Sequence, residues 1–268
     1  MADYTVQQVL IDFNKEFTQI ALPEDAVKLV RPQDGLLKSL REHDAPFIKI
    51  CPPQVNTDIF FDILKEVSVI TVKHKPDLEG DISEIFSALP EDAAARETFV
   101  RQAFTPGTNL LDYFKKKVSP ETFGFILSHA VRPFMKLYAR QVSAFYDPEQ
   151  WYKGTCPVCG ARPTLALLEK EDKKRYLYCG LCEARWRFQR LGCPYCLNHE
   201  SRFFTVDGME QYRVYYCDNC HGYIKTVNES MLDSSSLDLF WEDINTVHLD
   251  LLAMQEGYVN RPAEIIEK

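Results

Sequence analysis

The chain has 268 residues, of which 46% are hydrophobic and 12% aromatic, and it carries a net charge of −8. It is longer than one average domain, and its apolar content is ample for a core, which excludes global disorder. The acidic balance argues against a general nucleic-acid binder. The start shows no basic segment followed by an apolar one, and no run reaches the ~18 apolar residues of a membrane helix, so a cytoplasmic chain without membrane insertion is expected.

The first 150 residues predict a helical domain. Val6, Val9, Leu10, Phe13 and Phe17 form one stripe. Residues 55–73, after Pro52-Pro53, carry Ile59, Phe60, Ile63, Leu64, Val67 and Ile70 at helical spacing. Two further helices, 81–89 and 91–104, are parted by Pro90. Ser119 is a helix N-cap followed by Pro120 at the first helical position. The helix it opens should reach about Tyr146, with Phe123, Ile126, Ala130, Phe134 and Tyr138 on one face. Pro133 lies inside it and predicts a kink over 128–131.

Composition changes at Asp147-Pro148. Between 151 and 228 helical patterns give way to short aromatic and β-branched runs, and 175–178, 203–206 and 212–216 read as strands. Helical periodicity returns over 229–256, where Leu237, Phe240, Trp241, Ile244, Val247, Leu251 and Leu252 make an apolar face, and the residues after Gly257 read as a loose tail. The fold class expected is α+β. A helical domain over 1–150 precedes two tandem modules, about 151–190 and 191–228, and a C-terminal helix and tail over 229–268.

Nine cysteines are present, and eight lie between 156 and 220 in four C-x-x-C pairs; Cys51 stands alone. The pairs form an internal repeat. Cys156 and Cys159 recur 37 residues later as Cys193 and Cys196, and Cys179 and Cys182 recur 38 residues later as Cys217 and Cys220. The flanks agree: Cys156-Pro157-Val158-Cys159 matches Cys193-Pro194-Tyr195-Cys196, and Arg175 to Cys179 matches Arg213 to Cys217. A C-x-x-C turn sets two sulfurs on one side of a tight loop, and two such turns complete a tetrahedral four-thiolate shell. Two metal ions are therefore expected, one on Cys156, Cys159, Cys179 and Cys182, the other on Cys193, Cys196, Cys217 and Cys220. An interleaved pairing of first with third and second with fourth knuckle is the alternative. The modules have few aliphatic residues, so metal is expected to hold them folded.

Ligand type leaves iron and zinc both open, because tetrahedral thiolate sites suit either. The Cys-Pro-x-Cys-Gly form ending at Gly160 occurs in rubredoxin and zinc-ribbon knuckles alike, and its glycine permits positive φ; in the last knuckle Gly222 comes one residue later. Residues 151–228 carry 12 Lys+Arg against 8 Asp+Glu, and the rest of the chain is net −12. Two divalent ions in four-thiolate shells contribute −2 each, which cancels the local basic excess and leaves no cationic surface for nucleic acid. Arg185, Arg187 and Arg190 are expected to neutralise the thiolates and bridge the repeats, a local patch being the alternative. Cys51 reads as an incidental thiol, His199 and His221 as non-ligands, and Trp186 and Tyr223 as packing over the repeats. No zinc-hydrolase spacing, phosphate loop or nucleophile elbow is present, so no enzyme is expected.

The order of the knuckles and their flanks resembles the formate dehydrogenase accessory protein family (FdhE). The residues that carry this are Cys156-Pro157-Val158-Cys159-Gly160 with Pro163; Leu177-Tyr178-Cys179-Gly180-Leu181-Cys182 with Trp186 and Arg190; Cys193-Pro194-Tyr195-Cys196; Tyr216-Cys217-Asp218-Asn219-Cys220 with Tyr223 and Lys225; and the closing stretch 249–258. The resemblance runs from about Asp147 to Tyr258, and only helical character and length compare before it. It implies a cytoplasmic assembly factor with tandem rubredoxin-like modules that binds iron and contacts the catalytic subunit of respiratory formate dehydrogenase during maturation. Zinc remains the alternative metal. A zinc-ribbon nucleic-acid binder and a rubredoxin-type electron carrier are the alternative functions, and a homo-oligomer is compatible with the sequence.

Overall fold

The computed structural model describes residues 2–30, 45–114, 118–148, 151–232 and 237–260. These fall into two compact units, one of residues 8–146 and the other of residues 1–7 with 147–268. No helix among the described residues is long and apolar enough to cross a membrane.

The first unit is helical. Its principal elements are α1 (Ala2–Phe17) from Gln8 onward, the single turn α2 (Phe47–Ile50), α3 (Thr57–His74), α4 (Glu79–Ala88), α5 (Ala93–Ala103) and α6 (Pro120–Ser143). Short polar side chains start three of them. Asn56 accepts from the amides of Asp58 and Ile59, Asp92 from Ala95, and Ser119 from Thr122 with Pro120 behind it, which satisfies amides that a helix start leaves unpaired. The core lies between α3 and α6, where Phe60, Leu64 and Val67 meet Ile126, Ala130 and Phe134 from buried positions. Helix α6 continues through Pro133 and ends at Ser143. A two-stranded pair, β1 (Val27–Lys28) with β2 (Gln54–Val55), is tied to α6 by Gln141 Nε2 donating to Val27 O at 3.0 Å.

The second unit is built on one mixed sheet. Its strands are β3 (Leu165–Leu168), β4 (Arg175–Tyr178), β5 (Arg185–Phe188), β6 (Arg202–Phe204), β7 (Tyr212–Tyr216) and β8 (Gly222–Asn228), ordered β5-β4-β3-β8-β7-β6. Each repeat supplies three antiparallel strands. The two sets join where β3 pairs parallel with β8, Leu165 opposite Lys225 through Leu168 opposite Asn228. Both joining strands are buried along their whole length. They read poorly as strands in the sequence, since Leu165-Ala166-Leu167-Leu168 lacks β-branched residues and β8 carries a lysine.

The periodicity over 229–256 resolves into two helices, α7 (Leu239–Asn245) and α8 (Val247–Gln255), parted at Thr246; residues 233–236 lie outside the described residues. The break shifts the buried face. Leu239 packs on Leu165, Leu167 and Val227, while Leu249 and Ala253 pack on Val214 and Tyr223. Leu252, assigned to the apolar face by periodicity, is exposed. The residues just after Gly257 are also ordered into structure rather than a tail: β9 (Val259–Asn260) pairs parallel with Gly222 and Tyr223 of β8. Residues 261–268 lie outside the described residues. The mixed helix-and-sheet class with tandem four-cysteine modules is the one expected from the sequence.

Candidate metal centres

Four turns of one design place the eight cysteines. In each, the amide of the first cysteine donates to a carbonyl five residues on: Cys156 to Ala161, Cys179 to Ala184, Cys193 to Asn198 and Cys217 to Gly222, at 2.8–3.0 Å. The residue after the second cysteine takes positive φ each time: Gly160 at 78°, Glu183 at 61°, Leu197 at 61° and His221 at 52°. This left-handed residue turns the chain back so that both sulfurs face inward, and only the first knuckle uses the glycine that suits it. In the last knuckle the left-handed residue is His221, one before the glycine read from the sequence.

The turns gather the sulfurs into two groups, Cys156, Cys159, Cys179 and Cys182, and Cys193, Cys196, Cys217 and Cys220, with all ligand atoms in a group within 4.8 Å. The sequential pairing expected from the repeat is the arrangement found. Separations of 3.5 Å hold for Cys156–Cys182, Cys159–Cys179 and Cys193–Cys220, and 3.7 Å for Cys196–Cys217. A tetrahedral ion with metal–sulfur bonds near 2.3 Å sets its sulfurs about 3.8 Å apart, so both groups fit one ion each. The sulfurs stand far beyond disulfide length, and all eight thiols are free.

Their electrostatics also fit a cation. Hydrogen bonding to Cys156 pushes the Cys159 and Cys182 thiols well above the ordinary thiol range, and hydrogen bonding from Cys156 holds Cys179 well below it. In the second group burial pushes Cys193 up to about 11 and raises Cys220 as well. At Cys196 burial is outweighed by hydrogen bonds from Asn219 and the backbone of Asn198, which bring it down to about 7. Without a cation the sulfurs share too little positive charge to ionise together, and a divalent ion supplies it.

Surrounding residues differ from expectation in one respect. Arg185, Arg187 and Arg190 do not sit against the sulfurs; all three are exposed, Arg187 over the Tyr152 ring at 5.7 Å. Alternation along β5 turns Trp186 inward and its arginine neighbours outward. The arginine that joins the repeats is Arg175 of β4, fully buried, donating from Nη1 to Gly192 O at 2.9 Å and lying 5.0 Å from the Tyr215 ring centre. Burial pulls its pKa down to about 10, with Tyr215 and Cys193 acting in the opposite direction. Its Nε and Nη2 have no hydrogen-bond partner among the described residues. Nothing in its sequence context separated Arg175 from the other arginines, because its burial depends on the pairing of β3 with β8.

Gly154 also joins the modules. A Cβ there would lie 1.6 Å from Pro194 O, so the chain entering the first knuckle passes directly against the third. Trp186 and Tyr223 are buried, with Trp186 Nε1 donating to Lys153 O at 2.8 Å. Lys225, buried on β8, meets Asp243 Oδ1 at 2.8 Å and Asp250 Oδ2 at 2.7 Å, and Tyr223 donates to Asp250 Oδ1 at 2.9 Å, which fastens α7 and α8 to the sheet. His199 and His221 are exposed and in neither group. Cys51 lies in the helical unit, half-buried on a cavity of about 830 Å³ lined also by Val55, Val100 and Phe104.

Comparison with known proteins meets this geometry. The family description "FdhE, central domain" matches residues 155–190. A "Protein FdhE homolog" of Aquifex aeolicus (strain VF5) is 29% identical over 153 residues, 55% of this chain and 53% of that protein. One of Shewanella baltica (strain OS223) is 35% identical over 107 residues, 38% of this chain and 35% of that protein. The chain thus spans about half the length of the first of these relatives and about a third of the second. The crystal structure of the FdhE protein from Pseudomonas aeruginosa superposes with a TM-score of 0.60 at 17% identity, covering 99% of this chain and 89% of that one, and so shares its fold. The resemblance to the FdhE family is therefore borne out, in sequence over residues 155–190 and over the shares of the chain that these relatives match, and in fold along the chain.

Proposed function

We propose that the chain is a metal-binding accessory factor in the maturation of formate dehydrogenase, acting in the cytoplasm on its catalytic subunit. The observation that carries this is the pair of four-sulfur groups at tetrahedral spacing in a chain that resembles FdhE proteins. Cys156, Cys159, Cys179 and Cys182 would hold one ion and Cys193, Cys196, Cys217 and Cys220 the other. Iron is the metal that the resemblance implies and zinc the alternative. The bound ions would neutralise thiolate charge and lock the knuckles, which builds a rigid surface at small cost in apolar core. Such a factor needs surface rather than a nucleophile. It has no turnover of its own, and it favours the incompletely assembled client, since equal affinity for the finished enzyme would prevent release. The helical domain over 1–150 would supply a second surface.

Affinity capture from cells making formate dehydrogenase tests this. The catalytic subunit is expected in the captured fraction, and formate dehydrogenase activity is expected to fall when the factor is deleted. Unchanged activity with no catalytic subunit recovered would overturn the proposal, and firm retention on DNA at physiological salt would support a nucleic-acid role in its place.

A further inference from the structure

We infer that the two centres are built for different work: the first is closed, whereas the second opens to solvent along its Cys196–Cys220 edge and there exchanges its ion or takes a soft, thiol-class ligand. This rests on both groups holding metal.

The knuckles share one backbone design, so the repeat by itself predicts equivalent sites. Their surroundings differ. All four cysteines of the first group are 5% exposed or less, and Pro157 and Val158 between the first pair are buried. In the second group Cys193 and Cys217 are equally buried, but Cys196 and Cys220 are not. The residues that follow these two, Leu197 and His221, are exposed, as are Asp218 and Asn219. Asn219 Nδ2 reaches Cys196 Sγ at 3.4 Å from the solvent side. The opposite side of the second centre is shut, because Arg175, Gly192 and Tyr215 close around Cys193 and Cys217 and leave about 10 Å³, no more than one water.

A closed four-thiolate shell is the structural form of such a site, and access to the ion is what separates reactive sites from structural ones. An incoming ligand must reach the ion between two sulfurs, and only Cys196 and Cys220 offer that approach. Soft donors suit a thiolate-bound ion. The exchange balances without an oxidant: an entering thiol forms the new metal–sulfur bond, the bond to Cys196 or Cys220 breaks, and the thiol proton passes to the released cysteine.

The test uses the full chain loaded with zinc and a chromogenic chelator in excess. Metal content is measured first, and fewer than two ions per chain would overturn the metal reading itself. Given two ions, release is expected in two phases at least about tenfold apart. Brief treatment of the loaded chain with N-ethylmaleimide, read by peptide mass, should label Cys196 and Cys220 before any cysteine of the first group. Cys196→Ser should abolish the fast phase and keep the slow one. Two ions leaving at one rate, or first labelling at Cys156, Cys159, Cys179 or Cys182, would overturn the inference. Should Cys196→Ser fail to fold, the rates and labelling order of the unaltered chain decide alone.

Discussion

The left-handed residue after each knuckle makes a prediction that runs against ordinary substitution rules. Leu197 sits at φ 61° and is 54% exposed, so it holds a strained backbone and gains little from burial. A left-handed residue with a Cβ costs about 1–2 kcal/mol, while glycine loses about 0.5–1 kcal/mol more than alanine in conformational entropy on folding. Leu197→Gly should therefore leave stability unchanged or raise it by up to about 1 kcal/mol. Gly160 occupies the same place in the first knuckle at φ 78°, and Gly160→Ala should lower stability by about 1 kcal/mol. Urea unfolding of the metal-loaded chain, followed by circular dichroism, reads both changes at constant metal content. Loss of more than about 1 kcal/mol in Leu197→Gly, or none in Gly160→Ala, would refute the reasoning.

Three further outcomes follow from the packing. Cys51→Ser should leave metal content unchanged, whereas Cys156→Ser or Cys217→Ser should each lose about one ion by metal analysis and destabilise the modules; equal loss from Cys51→Ser would show the ligand sets to be wrong. Lys225→Met strands Asp243 and Asp250 without their buried cation and should cost about 3–5 kcal/mol in the same unfolding assay, with much of it regained in the Lys225→Met, Asp250→Asn pair. His129, its Nδ1 2.9 Å from Phe125 O, is held down to about 4 chiefly by burial. Because its folded pKa is depressed, its contribution is full above pH ~6.5 and is lost as pH falls towards 4, at up to about 1.4 kcal/mol per pH unit. The unfolding midpoint of the parent should accordingly drop faster between pH 7 and 5 than that of His129→Phe, and parallel curves would contradict this.

Much of the site was legible before any fold was known. Four identical short cysteine pairs in two matched repeats specify two groups of four, because a duplicated unit has to close its own shell within the reach of one hairpin. The same holds for the helix starts at Ser119 and Pro120, where local hydrogen bonding and a fixed φ act over a few residues. What the chain order could not express depends on contacts between distant residues. The parallel pairing of β3 with β8 is one; it buries Arg175 between the repeats and turns Lys225 into the anchor of α7 and α8. The inequality of the two sulfur groups is another. Their cysteine spacings repeat almost residue for residue, but exposure is set by which neighbours the fold brings over each edge, and it does so fully for the first group and for only half of the second.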